Sequence, residues 1–380
     1  MSSVLTNSRQ FTHEAHHPLY VRVARYLWRL LRGLVRQPTL LSHYISHPTT
    51  HRLSTAYMLL EHVGSDTSQM LSNTWEKRRE DPARRQNLFR GMTRLMLSLA
   101  RIPQPRIGSF RFHDNGTITL TNRPLTCSIM LLENDGTPRT IPRNNTYPYT
   151  EPFIADLFSF HDKRFLSHPN AIFDEKDCHG EMAAKVMLRA LAYHYVRQDQ
   201  RNGPFFLQLD DLHASNIFVD DDWNVTCFID LEWVCALPVE NLSVPYWLTG
   251  CAINEIRNER FLEFDKIRKE FMAIFEEEEC KVIAEHGLSL TQIMRETWES
   301  GGMWFWHSIM ATNAMHSLFT YHICPRFSRP VFKEEEFLSK FWSEDAAKVV
   351  KTKVAEYNVY ETELKQIFNK ENSDVCNDRQ

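Results

Sequence analysis

Apolar and polar positions recur along this chain in two rhythms. Short apolar runs separated by polar turns occupy residues 205–209, 217–219 and 225–229, and this pattern predicts strands. Helical spacing of apolar residues covers longer segments: 85–100, 152–165, 180–197, 253–286, 291–300, 303–322 and 344–372. The pattern therefore predicts an α+β fold whose C-terminal part is large and mostly helical.

Shorter patterns complete this outline. Asn115-Gly116 lies between alternating apolar residues and predicts a β-hairpin. Residues 57–63, Tyr-Met-Leu-Leu-Glu-His-Val, form an apolar run that ends at Gly64, which predicts a buried strand followed by a connector. We expect a surface loop at 126–148.

Residues 20–35 predict an amphipathic helix that Gln37-Pro38 ends. One side carries arginines and the other carries apolar residues: Arg22, Arg25, Arg29, Arg32 and Arg36 against Val23, Leu27, Leu30, Leu31 and Leu34. Such a helix can bind a membrane surface or act in targeting. It can also be an ordinary helix whose apolar side packs on the domain, which is the interpretation we favour.

Composition narrows the class of protein. The chain has 380 residues, 43% of them hydrophobic, which is enough for a large core in one domain or two unequal lobes. A net charge of −4 gives no reason to expect nucleic-acid binding. The chain contains no run of 18 apolar residues, so we expect no membrane span. Residues 1–14 lack the apolar core of a signal peptide. The eight cysteines include no C-x-x-C pair and are typical of a reducing compartment, so we expect a cytoplasmic protein.

One constellation carries candidate chemistry. Asp211 and Asn216 have the spacing D-x-x-x-x-N, and Asp230 follows fourteen residues after Asn216. In kinases this spacing supplies a carboxylate that accepts the hydroxyl proton and an amide ligand for Mg²⁺, and a later aspartate is the second ligand. The intervening strand, polar turn and strand predict a hairpin that brings the three side chains together. Carboxylates that lie close together repel each other unless a cation lies between them.

Two stretches that contain these residues resemble the signature stretches of the aminoglycoside phosphotransferase family, and more narrowly a fungal branch of it. They are Leu-Asp-Asp-Leu-His-Ala-Ser-Asn-Ile-Phe-Val-Asp (209–220) and Phe-Ile-Asp-Leu-Glu-Trp (228–233). The resemblance extends over about residues 57–330. It implies a protein-kinase-like fold, ATP and Mg²⁺, and phosphate transfer to a hydroxyl of a small molecule.

The resemblance also implies roles for single residues. Asp211 would be the base, and Asn216 and Asp230 would be the metal ligands. Glu61 and Val63, in the segment that resembles the hinge between the two lobes, would contact the nucleotide. His213 would brace the loop.

Two positions near the base depart from the family's pattern. Leu209 stands where the family often has histidine, which loosens the bracing of the loop. Asp210 is an additional acid beside the base; its charge could raise the pKa of either carboxyl, or its side chain could point to solvent, which we favour.

The larger departure is at the front of the chain. Residues 1–56 contain no lysine and one glycine, Gly33, and their pattern is one of helix and coil; the first lysine is Lys77. A kinase-like N-lobe normally provides a glycine-rich loop and a lysine that contacts the phosphates. We therefore expect three parts: a reduced, arginine-rich N-terminal segment (1–56), a phosphotransferase domain resembling a kinase C-lobe (57–330) and a helical extension (331–380).

Two functions remain open at this point. One is an ATP-dependent small-molecule phosphotransferase, and the other is a non-catalytic, pseudokinase-like binding protein. The acids of the loop would suit a cationic, amine-bearing acceptor, although the same acids would serve a metal. The aromatic segment 303–322 could form a wall of the substrate pocket, or a core helix with satisfied histidines, which we favour.

Overall fold

The computed structural model describes residues 9–35, 40–48, 68–282, 287–328 and 334–377. The strands are β1 Arg9–His13, β2 Leu40–Leu41, β3 Tyr44–Pro48, β4 Gln69–Met70, β5 Gly108–Phe112, β6 Thr117–Asn122, β7 Phe206–Leu209, β8 Ile217–Val219, β9 Val225–Phe228 and β10 Val234–Leu237. The helices are α1 Leu19–Leu34, α2 Trp75–Arg78, α3 Pro82–Ala100, α4 Cys127–Asn134, α5 Thr150–Ser167, α6 Glu175–Tyr195, α7 Glu259–Glu279, α8 Leu290–Ser300, α9 Gly302–Met310, α10 Met315–Leu318, α11 Cys324–Phe327, α12 Glu335–Ser339 and α13 Ala346–Asn377. The predicted α+β class, with most helices after the last strand, is confirmed.

The strands form three antiparallel sheets. The largest has the order β2-β6-β5-β10-β7, a second has the order β4-β8-β9, and β1 pairs with β3 alone. The predicted hairpin at Asn115-Gly116 is confirmed as β5 and β6. Strand β7 joins the first sheet, and β8 and β9 form part of the second. The loop that carries Asp211 and Asn216 therefore connects two sheets.

The core lies between these sheets and the long helices. Helix α3 packs on α7, where the rings of Phe89 and Phe271 are 5.3 Å apart and both side chains are fully buried. Trp223, in the turn after β8, stacks on Trp75 at 5.5 Å, and its indole N–H donates to the Thr74 hydroxyl at 3.1 Å. Burial of aromatic rings of this size is the largest hydrophobic contribution a residue makes. It fixes the end of the β8–β9 hairpin on the helical body.

The C-terminal extension packs on the same body through a smaller apolar cluster. Ala346 and Val350 of α13 are buried against Phe165 and Met182. The Lys353 ammonium, also buried, donates to the carbonyl of His168 at 2.6 Å. Thus α13 is attached through both apolar contacts and a buried hydrogen bond.

Several sequence expectations need correction. Residues 126–148 were expected to be a loop but contain α4, which Thr126 caps with its hydroxyl. The segment 303–322 is not one helix, because α9 ends at Met310 and α10 begins at Met315. The segment 1–56 was expected to be helix and coil, but it also contains strands: β1 and β3, which flank α1 in the sequence, pair with each other. The strand predicted at 57–63 lies outside the described residues.

The N-terminal helix is oriented opposite to the packing that we favoured. Its apolar side chains face solvent, with exposed fractions of 52% for Leu27, 55% for Leu31 and 80% for Leu34. Its arginine side faces the segments that follow β1 and precede β3: Arg25 and Arg29 contact the carboxylate of Glu14, and Arg25 donates to the carbonyl of Ser42. None of the helices in the described part of the chain is long and apolar enough to span a bilayer.

Candidate functional site

The site is built at the end of β7, where the chain leaves the first sheet. The backbone N–H of Asp210 donates to the carbonyl of Trp233 at 3.3 Å, and the N–H of Ile229 donates to the carbonyl of Asn216 at 3.0 Å. These bonds join the loop 210–216 to the segment 229–233 at both ends of the loop. The structure thereby brings together Asp211, Asn216 and Asp230, as the sequence predicts.

Asn216 is held in a defined orientation. Its side-chain amide donates to the carbonyl of Asp211 at 2.9 Å and approaches Nε2 of His213 at 3.4 Å. Its own backbone N–H donates to the carbonyl of His213 at 2.9 Å. Because the amide nitrogen is engaged and the side chain is 5% exposed, the amide oxygen is the atom left to coordinate a cation.

His213 acts as the predicted brace of the loop. Its Nδ1 accepts the backbone N–H of Ser215 at 3.2 Å and so caps the single helical turn Ala214–Asn216. His213 therefore fixes the loop geometry.

Asp230 occupies a strained backbone position directly after β9. Its φ of 61° and ψ of 50° are in the left-handed region, which residues other than glycine adopt infrequently. Aspartate tolerates this conformation better than most residues, and such outliers cluster at functional sites. Asp230 is exposed at the end of the hairpin, and Glu232, two residues later, is exposed in the short turn Leu231–Trp233.

Asp230 and Glu232 form a close acidic pair. A backbone hydrogen bond of Glu232 lowers its pKa, but desolvation, a hydrogen bond with the Asp230 carboxyl and the charge of Asp211 outweigh it, so the pKa is raised. Two neighbouring carboxylates repel each other unless a cation offsets their charge. This pair is not the one that the sequence predicts, which is Asp211 with Asp230, but the charge of Asp211 contributes to the Glu232 shift.

Asp210 does not point to solvent, contrary to the interpretation we favoured. Its carboxylate accepts the backbone N–H of Cys127 at 2.9 Å, at the N-terminus of α4. Burial, with a contribution from the charge of Asp211, raises its pKa to about 6, although the hydrogen bonds from the backbone of Cys127 and Ser128 oppose the shift. The other open interpretation, in which like charge raises the pKa of one of the two acids, agrees with this arrangement.

Sequence reasoning did not identify Cys127. Burial raises the pKa of its thiol to about 12, and the charges of Asp211 and Asp210 and a hydrogen bond with Asp211 contribute. The thiol is therefore protonated at neutral pH and is a weak donor to the candidate base. Nothing in the local sequence identifies it, because its position depends on the packing of α4 against the end of β7.

The oxygen atoms of Asn216 and Asp230 fit a hard cation such as Mg²⁺, but they form only part of its ligand set. Mg²⁺ prefers oxygen ligands and is often held by one or two carboxylates together with substrate phosphates. The amide oxygen of Asn216 and the carboxylate of Asp230 are such ligands, and Glu232 is near enough to orient Asp230. Among the described residues no group of three or more His, Cys, Asp or Glu side chains could hold a metal ion, so the protein alone supplies an incomplete ligand set.

The acids of the hairpin turn lie apart from this site. The Asp220 carboxylate accepts the backbone N–H groups of Asp222 at 3.0 Å and Asn224 at 2.8 Å. In the register of the hairpin, Ile217 pairs with Phe228 at the site end, whereas Val219 pairs with Val225 at the turn end. These acids therefore shape the turn and are not part of the metal-binding end.

The remaining predicted site residues can be placed only in part. Glu61 and Val63, expected to contact a nucleotide, lie outside the described residues. No ion pair joins Asp211 or Asp230 to a basic side chain within the described part of the chain, so both carboxylates lack a protein cation there. The seven cysteines whose side chains the structure describes are free, and of these Cys178 and Cys235 are buried.

Comparison with known proteins adds no relative. No family model, no curated protein and no solved structure matches this chain. The resemblance to the aminoglycoside phosphotransferases therefore stays a prediction from the two motif stretches.

Proposed function

We propose that this chain is an ATP- and Mg²⁺-dependent phosphotransferase that transfers a phosphoryl group to a hydroxyl of a small molecule. The observation that carries the proposal is the joining of two separate motif stretches by backbone hydrogen bonds. The bonds from Ile229 to Asn216 and from Asp210 to Trp233 place the D-x-x-x-x-N loop beside Asp230. A turn in which Asp211 and Asn216 merely cap the backbone would not need this junction.

In the proposed reaction, Asp211 accepts the proton of the acceptor hydroxyl, and this general-base role contributes factors of about 10²–10⁴ in known enzymes. Asn216 and Asp230 would hold Mg²⁺, which neutralises charge on the phosphates when it is bound. Cys127 donates a weak hydrogen bond to Asp211, and the engaged amide of Asn216 fixes the carbonyl of the same residue. These contacts orient the base before the acceptor arrives.

A second candidate function is a non-catalytic binding protein of the pseudokinase type. The absence of lysine before Lys77 in the sequence favours it, because kinases use an N-lobe lysine to position the phosphates. Arginine has the same charge but a different reach and geometry, so the arginines of residues 1–56 are not equivalent replacements.

Calorimetric titration with Mg·ATP tests the proposal. We expect the wild-type chain to bind in a magnesium-dependent manner and Asp230→Asn to lose at least about tenfold in affinity, since one ligand charge is removed. The matched control is Asp222→Asn, which removes the same charge from an exposed position in the hairpin turn and should bind like wild type. Absence of binding by the wild-type chain would reject the phosphotransferase and favour the second candidate.

A further inference from the structure

A cavity of about 180 Å³ lies directly behind the loop that carries Asp211. Both neighbours of the base, Asp210 and Leu212, line it. Helix α3, strand β7, the segment after β10 and the end of α9 form its walls. Its apolar lining includes Leu95, Leu99, Leu212, Leu242, Trp247 and Met310.

The wall of the cavity next to the loop is formed by Asp210, Leu212 and Tyr246. Asp211 lies between two of these residues in the chain but does not itself line the cavity. Burial raises the pKa of the Tyr246 phenol, and the charges of Asp210 and Asp211 contribute to that shift. A hydroxyl at this wall therefore lies beside the loop that carries the base.

The polar groups of the cavity wall are mostly paired with each other. The Asn241 amide donates to Gln208 at 2.9 Å, and Gln208 donates to the carbonyl of Pro238 at 3.0 Å. The Ser243 hydroxyl and His307 Nε2 are 3.1 Å apart. Burial lowers the pKa of His307 to about 4, so this ring is uncharged at neutral pH. One buried donor of the lining, the indole N–H of Trp247, has no hydrogen-bond partner among the described residues. The wall therefore offers a hydrogen bond to a neutral ligand oxygen but no further charge.

The lining favours neutral ligands, because it has no cationic side chain for an anion and because the backbone N–H of Cys127 already occupies Oδ2 of its one carboxylate, Asp210. Asp210 is the single charged side chain among the lining residues, and its carboxylate is already engaged by the N-terminus of α4. No lysine or arginine lines the cavity that would bind an anion. Moving an unpaired ion from water into such an apolar space costs several kcal/mol, roughly, for each charge. The acids at 220–222 cannot compensate, because they are at the far end of the hairpin.

We propose that this cavity binds the acceptor and that the acceptor is a neutral, largely apolar alcohol with one ring or a short alkyl chain. The proposal rests on the proposed function, which supplies the phosphoryl donor and the base. Apolar cavities of about 150 Å³ hold one benzene ring, whereas a polycationic aminosugar of several rings is larger and more polar than this space. The proposal favours a neutral acceptor over the cationic one that the loop acids would also suit.

The proposed phosphoryl transfer needs no reactant other than ATP and the acceptor alcohol. The hydroxyl oxygen of the acceptor forms a bond to the γ-phosphorus of ATP, and the bond from that phosphorus to the β–γ bridging oxygen breaks. The proton of the hydroxyl passes to Asp211, and ADP leaves. The apolar wall excludes water, which would otherwise compete as the nucleophile.

Ligand-observed NMR with three probes on the full chain tests the acceptor class. The probes are 2-phenylethanol, its amine counterpart 2-phenylethylamine, which is a cation at pH 7, and glucose, which is neutral and polar. We expect 2-phenylethanol to bind at least about tenfold more tightly than either of the others. Leu99→Phe, which fills the cavity from α3, should abolish that binding. Leu131→Phe, which adds the same ring at an exposed position on α4, should not.

Ala311→Phe fills the same space from the opposite wall. This second variant keeps the test valid if Leu99→Phe fails to fold. Thermal unfolding of each variant shows whether it is folded. Equal or tighter binding of the amine or of glucose would overturn the proposal, as would absence of alcohol binding with and without Mg·ATP. Survival of alcohol binding in both cavity-filling variants would place the ligand elsewhere and also overturn it. The separate Mg·ATP titration distinguishes the two claims: nucleotide binding without alcohol binding rejects only the acceptor class, and the reverse rejects the phosphotransferase.

Discussion

The N-terminal helix α1 and the loop that carries Asp211 are fixed to the molecule in opposite ways. The charged side of helix α1 contacts Glu14, the residue after β1, which accepts hydrogen bonds from Arg29 at 2.9 and 2.6 Å and from Arg25 at 3.1 Å. The loop is attached through backbone hydrogen bonds to segment 229–233 and continues from the buried strand β7. One attachment depends on charge and the other on backbone pairing next to a core.

This difference determines what each region tolerates. Ion pairs near the surface are weakened by salt and by protonation of the acid, whereas backbone hydrogen bonds above an apolar core are not. The candidate site should therefore keep its geometry under conditions that release α1. The experiments below test this contrast, from the largest expected effect to the smallest.

Replacement of the candidate base should have the largest effect. Asp211→Asn keeps the size of the side chain and the carbonyl that fixes Asn216, but it removes the proton acceptor. With any acceptor alcohol that supports turnover, we expect kcat to fall by about 10³-fold, or roughly 4 kcal/mol of transition-state stabilisation. The Asp222→Asn control should retain wild-type kcat. Comparable rates for wild type and Asp211→Asn would remove Asp211 from the mechanism.

Loss of the attachment of α1 should have an intermediate and local effect. Hydrogen bonding to Arg29, opposed by desolvation and supported by His43 and Arg25, lowers the pKa of Glu14 to about 2. A depressed carboxyl pKa means that the stabilisation is present above the unfolded value of 4.5 and is lost as pH falls through about 2. After allowance for screening, we expect the attachment to contribute about 2 kcal/mol at pH 7.

Hydrogen exchange measures this attachment directly. Glu14→Gln at pH 7, and wild type near pH 2, should both lower the protection factors of the α1 amides while those of α3 in Glu14→Gln stay at wild-type values. Glu344→Gln, at an exposed position near the start of α13, is the matched control for removal of one acid. Unchanged protection of α1 in Glu14→Gln would show that some contact other than this ion-pair cluster holds the helix.

The sequence predicted the two regions with different success for physical reasons. The hairpin from Ile217 to Asp230 is local, because its turn residues and apolar runs specify the register within a few positions. The environment of Asp210 is not local: its partner Cys127 is 83 positions away, on a helix that the sequence did not predict. Strand β10 was missed for the same reason, because its pairing with β5 and β7 depends on distant segments.

The helix α1 illustrates a further limit. Its periodicity predicts two faces, and both are present in the structure. Periodicity describes where apolar side chains lie around the axis but carries no information on which side meets the rest of the protein. The single acid of residues 1–56, Glu14, decides that question through its position opposite Arg25 and Arg29.

The smallest effect is expected for polar substitution of the outer side of α1. The double variant Leu27→Gln, Leu31→Gln changes side chains that are already about half exposed, so we expect the free energy of unfolding to change by less than about 0.5 kcal/mol. Urea titration measures this free energy. In the same experiment Phe271→Ala, at a fully buried core position, should lower the free energy of unfolding by about 3–5 kcal/mol. A loss above about 2 kcal/mol in the double variant would mean that these leucines are covered in solution. The contrast with the candidate site would then fail, because α1 would be held by apolar burial like the rest of the molecule.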